Sequence, residues 1–218
     1  GEGSPNYCNG VTSVYVEQRD SRLFAYLSAY WDNAMVIFDV TDYPTMYRIG
    51  GRTGTGDPYR LSRVHSVFVK DNRAYCCSRG DDDALTIWGV EPGVLFKTSN
   101  PIGRIAGSSN YLDGASGLAI SGNYAYVASY NSNALVKIDI TSLTAMSKVG
   151  QASGSGSPNY LSGAVNVFVS GSYAYVTAVS DHAFTIWDIS GSTPSQVGIL
   201  LGSGSPNYLG GARALYVD

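Results

Sequence analysis

The octapeptide GSGSPNYL stands at residues 154–161 and again at 202–209, and the chain opens on the variant GEGSPNYC at residues 1–8. A repeated phrase rich in Gly and Ser marks a repeated connection, and a repeated connection implies a repeated unit on either side of it. Extending the phrase forward aligns five starts: NYCNGVTSVYV, PYRLSRVHSVFV, NYLDGASGLAI, NYLSGAVNVFV and NYLGGARALYV. Their equivalent positions Val11, Val64, Ala115, Ala164 and Ala212 recur about every fifty residues. Units therefore run over residues 11–63, 64–114, 115–163 and 164–211 of a single domain spanning 1–218, and a fifth unit begins at 212. Because residue 1 falls inside the phrase, the sequence reads as a processed or trimmed product.

Four strand signals recur in each unit. A short apolar alternation such as Val165, Val167 and Val169 comes first. An aromatic run follows: LFAYLS, RAYCCS, NYAYVAS or SYAYVTA. The third signal is AMVIFDV, ALTIWGV, ALVKIDI or AFTIWDI, and a fourth follows a polar turn. The second and third signals are separated by residues rich in Asn and Asp, which tolerate left-handed backbone angles. The first unit carries a longer EQRDSR loop, and the second carries the longer EPGVLFKTSNP segment.

Composition agrees with many short strands. The chain holds 26 Gly and 17 Tyr, and only 14% of its residues are charged, so little or no helix is expected. With a net charge of -3 and no clustered basic residues, nothing provides the phosphate-neutralising stripe of a nucleic-acid binder. No apolar run is long enough for a membrane-spanning helix.

Four antiparallel strands in about fifty residues make a blade that cannot hide both faces alone. Radial stacking hides them, so the expected fold is an all-β propeller of four four-stranded blades plus one extra inner-strand motif at the C-terminus. Ser13, Ser66, Gly117, Asn166 and Ala214 are small, as an innermost strand near a crowded axis requires, while Phe38, Trp88, Tyr175 and Trp187 fill the space between blades.

On NYAYVASYNSNALVKIDIT and SYAYVTAVSDHAFTIWDISGSTP, the chain resembles the LVIVD-repeat propellers, with Gly89 departing from the Asp at Asp39, Asp139 and Asp188. The resemblance implies a propeller of a secreted or cell-surface protein and no particular reaction.

The candidate sites divide by strand position. Thr12, His65, Ser116, Val165 and Arg213 share the entry to the inner strand, where side chains converge on a central channel; His65 makes this a candidate ligand site, with plain channel lining as the alternative. Tyr7, Tyr59, Tyr111, Tyr160 and Tyr208 recur in the connections as interblade anchors or as repeated pockets. Cys8, Cys76 and Cys77 leave an odd thiol; the readings are buried thiols, a Cys8 disulfide to Cys76 or Cys77, or a bridge between chains. His65 and His182 are too few for a zinc or triad site. The GDDD run at 80–83 lacks calcium-loop spacing and reads as a solvated hairpin tip. Asp39, Asp139 and Asp188 read as turn organisers.

The surplus inner strand leaves an adhesive edge. Val11, Val14 and Val16 at one end and Ala212, Leu215 and Val217 at the other are therefore candidate assembly strands. The expected function is noncatalytic: an extracellular structural or interaction propeller that self-assembles or binds another surface protein, with no cofactor and no metal. A glycan-binding propeller is the alternative, and a propeller hydrolase built around His65 comes third.

Overall fold

The computed structural model describes residues 6–91 and 96–217. Residues 1–5 of the opening phrase, residues 92–95 of the EPGVLFKTSNP segment and residue 218 lie outside the described residues. The chain divides into two compact units, residues 1–105 and 106–218, each built around two sheets.

In the first unit, β1 (Val11–Arg19), β2 (Arg22–Ala29), β3 (Ala34–Asp39) and β4 (Tyr47–Thr53) form one meander. β5 (Val64–Lys70), β6 (Arg73–Ser78), β7 (Ala84–Gly89) and β8 (Gly103–Ala106) form the next. The second unit repeats the plan with β9 (Ala115–Ser121), β10 (Tyr124–Ser129), β11 (Ala134–Asp139) and β12 (Ser147–Ser153), then β13 (Ala164–Ser170), β14 (Tyr173–Ala178), β15 (Ala183–Asp188) and β16 (Ser195–Leu201). Helix among the described residues is limited to 3-10 turns at Ser108–Asn110 and Leu143–Ala145. The fold class read from the repeat is thus observed, with each of the first four inner strands beginning at its expected residue.

Each unit is held by the aromatic interlayer between its two blades. In the first, Phe24, Tyr26, Met35 and Ile37 of one blade interleave with Val67, Val69, Cys76, Trp88 and Val90 of the next. In the second, Tyr126, Ala128 and Leu135 meet Val167, Val176, Trp187 and Ile189. The TIW triplet solves a local problem twice: the buried indole N–H of Trp88 donates to Thr86 at 3.2 Å, and that of Trp187 donates to Thr185 at 2.8 Å. Small inner-strand residues are required sterically. A Cβ on Gly117 would lie 2.6 Å from the Asn166 Cα of the neighbouring inner strand.

Lys137 occupies a position that is Ile37, Ile87 or Ile186 in the other blades. It is only 4% exposed. Its ammonium group donates to the carbonyls of Ile189 and Gly191, both at 2.8 Å, and lies over the Tyr124 ring. Burial lowers its pKa.

The fifth inner-strand motif does not form a strand. Residues 212–217 carry no ladder, and the last sheet stops at four strands. They nevertheless lie where an inner strand would: Tyr216 packs edge-on against Phe168 at 5.5 Å, as Phe68 of β5 packs against Tyr15 of β1 at 5.1 Å. The Thr177 hydroxyl reaches the Arg213 carbonyl at 3.5 Å, as Ser28 reaches that of His65 at 3.2 Å. A strand needs a ladder partner, and the described residues beyond β16 supply none.

Candidate functional site

The repeated phrase is a compact turn clasped by a carboxylate from the blade that follows it. Gly56 and Ser62 donate their backbone N–H groups to Asp82 at 2.8 and 2.7 Å. Gly156 and Ser162 donate likewise to Asp181, the latter at 2.8 Å. In the first blade Asn9 donates to Asp32 at 2.9 Å. The expectation of a solvated tip at GDDD is corrected at Asp82, which is 3% exposed and accepts from one buried and one part-buried amide, while Asp81 is exposed. The next hairpin residue ties each blade to the phrase that leaves it: Asn33 accepts from Arg63 N at 2.8 Å, and Asn133 accepts from Gly163 N at 3.0 Å. Asn33, Asp83, Asn133 and His182 all hold positive φ, as the Asx-rich hairpins require.

The turn also revises the tyrosine alignment. Tyr160 and Tyr208 sit at φ 50 and donate from N to the carbonyls of Gly156 and Gly204, and the residue doing this in the second phrase is Arg60, at φ 47, donating to Gly56. Tyr59 therefore corresponds to Asn159, one residue earlier than Tyr7, Tyr111, Tyr160 and Tyr208. It lies parallel to Trp88 at 6.1 Å. Tyr7 packs beside Phe38 on the first blade with the Arg48 guanidinium over its ring, and Tyr111 carries Lys148 in the same way. Tyr160 is half-buried, whereas Tyr208 is 72% exposed.

Thr12 and His65 come together in the first unit. With Gly10, Val11, Tyr30, Trp31 and Arg79 they line an open cavity of about 330 Å3. Tyr30 meets His65 edge-on at 6.3 Å, and Trp31 stands 62% exposed where a Cβ on Gly10 would strike its ring. Trp31 was not singled out in the sequence, although Asn131 and Ser180 hold the same hairpin position in other blades. Ser116 and Val165 do not join a comparable cleft. Ser116 is fully buried and donates to the Gly114 carbonyl at 2.8 Å, Val165 is 4% exposed, and Arg213 is exposed in the terminal segment.

A second cavity, of about 310 Å3, lies on β4 between Tyr7 and Tyr59 and is lined by Arg48, Gly51, Arg52, Thr53 and Ser99. Its two guanidinium groups give it a positive character that the sequence had not flagged.

The three cysteines are free, so no Cys8 disulfide to Cys76 or Cys77 exists within the chain. Neighbouring strand residues face opposite sides. Cys76 enters the interlayer against the Met35 sulfur at 3.3 Å while Cys77 faces away; burial raises both thiols, Cys77 to about 12.

Asp39, Asp139 and Asp188 receive N–H bonds from Thr41, Thr141 and Ser190 at 3.0, 2.8 and 2.9 Å. The Thr41 hydroxyl, then Arg22, hold Asp39 down to about 2, and the corresponding hydroxyl residues lower the other two. Such carboxylates are engaged in turns and leave little capacity for acid-base work. Among the described residues no group of His, Cys, Asp and Glu is arranged to hold a metal.

Four meandering blades on one repeat define a β-propeller repeat protein. Residues 114–152 and 163–201, which span the third and fourth blades, match the model of the LVIVD repeat. No curated protein matches the sequence. Solved structures share the fold at low identity. A protein from Lactobacillus plantarum is 12% identical with a TM-score of 0.67, over 88% of this chain and 71% of that one. A candidate 6-phosphogluconolactonase from Bacteroides uniformis is 11% identical with a TM-score of 0.66, over 88% and 55%. The computationally designed Ika8 is 13% identical with a TM-score of 0.59, over 87% and 49%. The chain thus spans about half the length of the last two.

Proposed function

We propose that the chain is a noncatalytic interaction propeller that assembles head to tail with a second copy through its end blades. The observation carrying this reading is the docking of Tyr216 on Phe168, which leaves 212–217 as an inner strand without its ladder. The end faces support it. Val14 and Val16 are 59% and 52% exposed, whereas the equivalent Val67 and Val69 are 5% and 1% exposed beneath a preceding blade. At the other end Tyr175 and Phe184 are half-buried, whereas Tyr26 and Met35 in the same positions are covered by a following blade. The first and fourth blades therefore each present a face whose counterpart is covered between the blades of a unit.

In the assembled state the terminal segment displaces β1 and pairs along β2 of the second copy, with Leu215 and Val217 taking the positions that Val14 and Val16 give up. Because donor and acceptor surfaces differ, the contact is heterologous and continues into a ring or a filament. Light scattering on the 218-residue chain, on a chain ending at 211 and on Tyr216→Ala tests this. Association of the full chain that both changes weaken supports strand donation. A monodisperse monomer of the full chain overturns it.

The setting we propose is the cell surface or the extracellular space, supported by the low charge content and the likeness of the repeat to secreted propellers. Antibody labelling of intact against permeabilised cells checks it.

A further inference from the structure

The cavity on β4 has a chemistry that the blade does not require. Arg52 pairs across the sheet with Met35, and the residues equivalent to it, Ala152 opposite Leu135 and Leu200 opposite Phe184, are apolar. An arginine has been placed where the repeat otherwise puts hydrocarbon. The register shift between Ile37 and Phe38 pairs Arg48 with Phe38 and so turns it to the face opposite Arg52, yet β4 is the outermost strand of its sheet and both guanidinium groups line the cavity at that edge. Gly51 makes room for Arg48: a Cβ there would lie 2.8 Å from Arg48 Nη2.

Among the described residues, no carboxylate pairs with Arg48 or Arg52, although five other ion pairs form. Arg48 lies 5.1 Å over Tyr7 and Arg52 lies 4.4 Å over Phe96. Stacking of this kind uses the face of a guanidinium and fixes its plane, leaving in-plane N–H groups to donate. Arg52 spends two of these on the carbonyls of Gly51 and Thr98, both at 3.3 Å. The rest of the wall is phenol and hydroxyl, from Tyr7, Tyr59, Thr53 and Ser99.

We propose that this cavity binds an oxyanionic group, carboxylate or sulfate, carried on a single sugar ring. Arg48 and Arg52 take the anion, the tyrosines flank the ring, and Thr53 and Ser99 meet its hydroxyls. The volume lies at the small end of the range for ligand sites and suits one pyranose. This site is independent of end-to-end assembly, because none of its lining residues lies on β1, on β2 or in the terminal segment.

Titration calorimetry with D-glucuronate, glucose 6-sulfate, inorganic sulfate and D-glucose tests the assignment. One or both acidic sugars are expected to bind, with affinity falling as salt rises. Arg48→Met and Arg52→Met should each weaken binding about 10- to 100-fold, the worth of a charge-assisted hydrogen bond. An unchanged Trp emission spectrum in each variant shows that the interlayer around Trp88 is intact. Glucose binding as tightly as glucuronate, no binding of either acidic sugar, or undiminished binding in a folded Arg52→Met overturns the proposal. Inorganic sulfate binding as tightly as the sugars overturns the saccharide part.

Discussion

Replacing Asp82 with Ala measures how much the clasp on the repeated phrase contributes. The carboxylate accepts from Gly56 N at 2.8 Å and Ser62 N at 2.7 Å, and the residue is 3% exposed. Deletion leaves the buried Ser62 N–H and the part-buried Gly56 N–H without their acceptor, and an unsatisfied buried group costs roughly 1–3 kcal/mol. Allowing for water entering the turn, the expected loss is about 3 kcal/mol. Asp82→Asn keeps one acceptor oxygen and should lose about half as much. The neighbouring Asp81 is exposed, so Asp81→Ala should stay within about 0.5 kcal/mol of the parent. Urea unfolding followed by the emission of buried Trp88, in the same unit, reads all three variants. The reasoning fails if Asp82→Ala costs less than Asp81→Ala or if all three variants unfold together.

Acid should expose the turn carboxylates. Asp39 falls to about 2 in the fold, and Asp139 and Asp188 are also lowered, so their contribution is complete above the ordinary carboxylate pKa near 4 and is lost as pH drops toward 2. Asp39→Asn should flatten that part of the stability profile, as measured by thermal melts between pH 2 and 5. Lys137→Ala should destabilise the second unit by about 1–3 kcal/mol by orphaning the Ile189 and Gly191 carbonyls, seen in Trp187 emission during unfolding. A thiol-reactive dye should label half-buried Cys8 first and reach Cys76 and Cys77 only on unfolding, because burial keeps both of those protonated and shielded. Rapid labelling of all three thiols would contradict the packing.

The local grammar of the blade was legible in the residues. Alternation and aromatic runs marked the strands, Asx residues marked the left-handed hairpin positions, and the Asp after the third signal marked the next turn. All of these depend on interactions within a few residues or between adjacent strands of one repeat, so the sequence carries them directly. The register of the phrase was less secure. Aligning Tyr59 with the other tyrosines followed chemical likeness, but backbone geometry assigns the left-handed position to Arg60, and a one-residue shift cannot be detected where two aromatic or polar residues adjoin.

What the sequence by itself determined was the repeat and hence the blade, because a period of about fifty residues with four apolar signals admits few ways of hiding both faces of a sheet. Tertiary structure alone decided which acid of GDDD is buried, that Trp31 lies over Gly10, that two arginines share a cavity and that the last motif docks without pairing. Each of these depends on where residues distant along the chain, on separate strands and loops, come to rest against one another. Burial and charge pairing are properties of that arrangement, and no single repeat contains it.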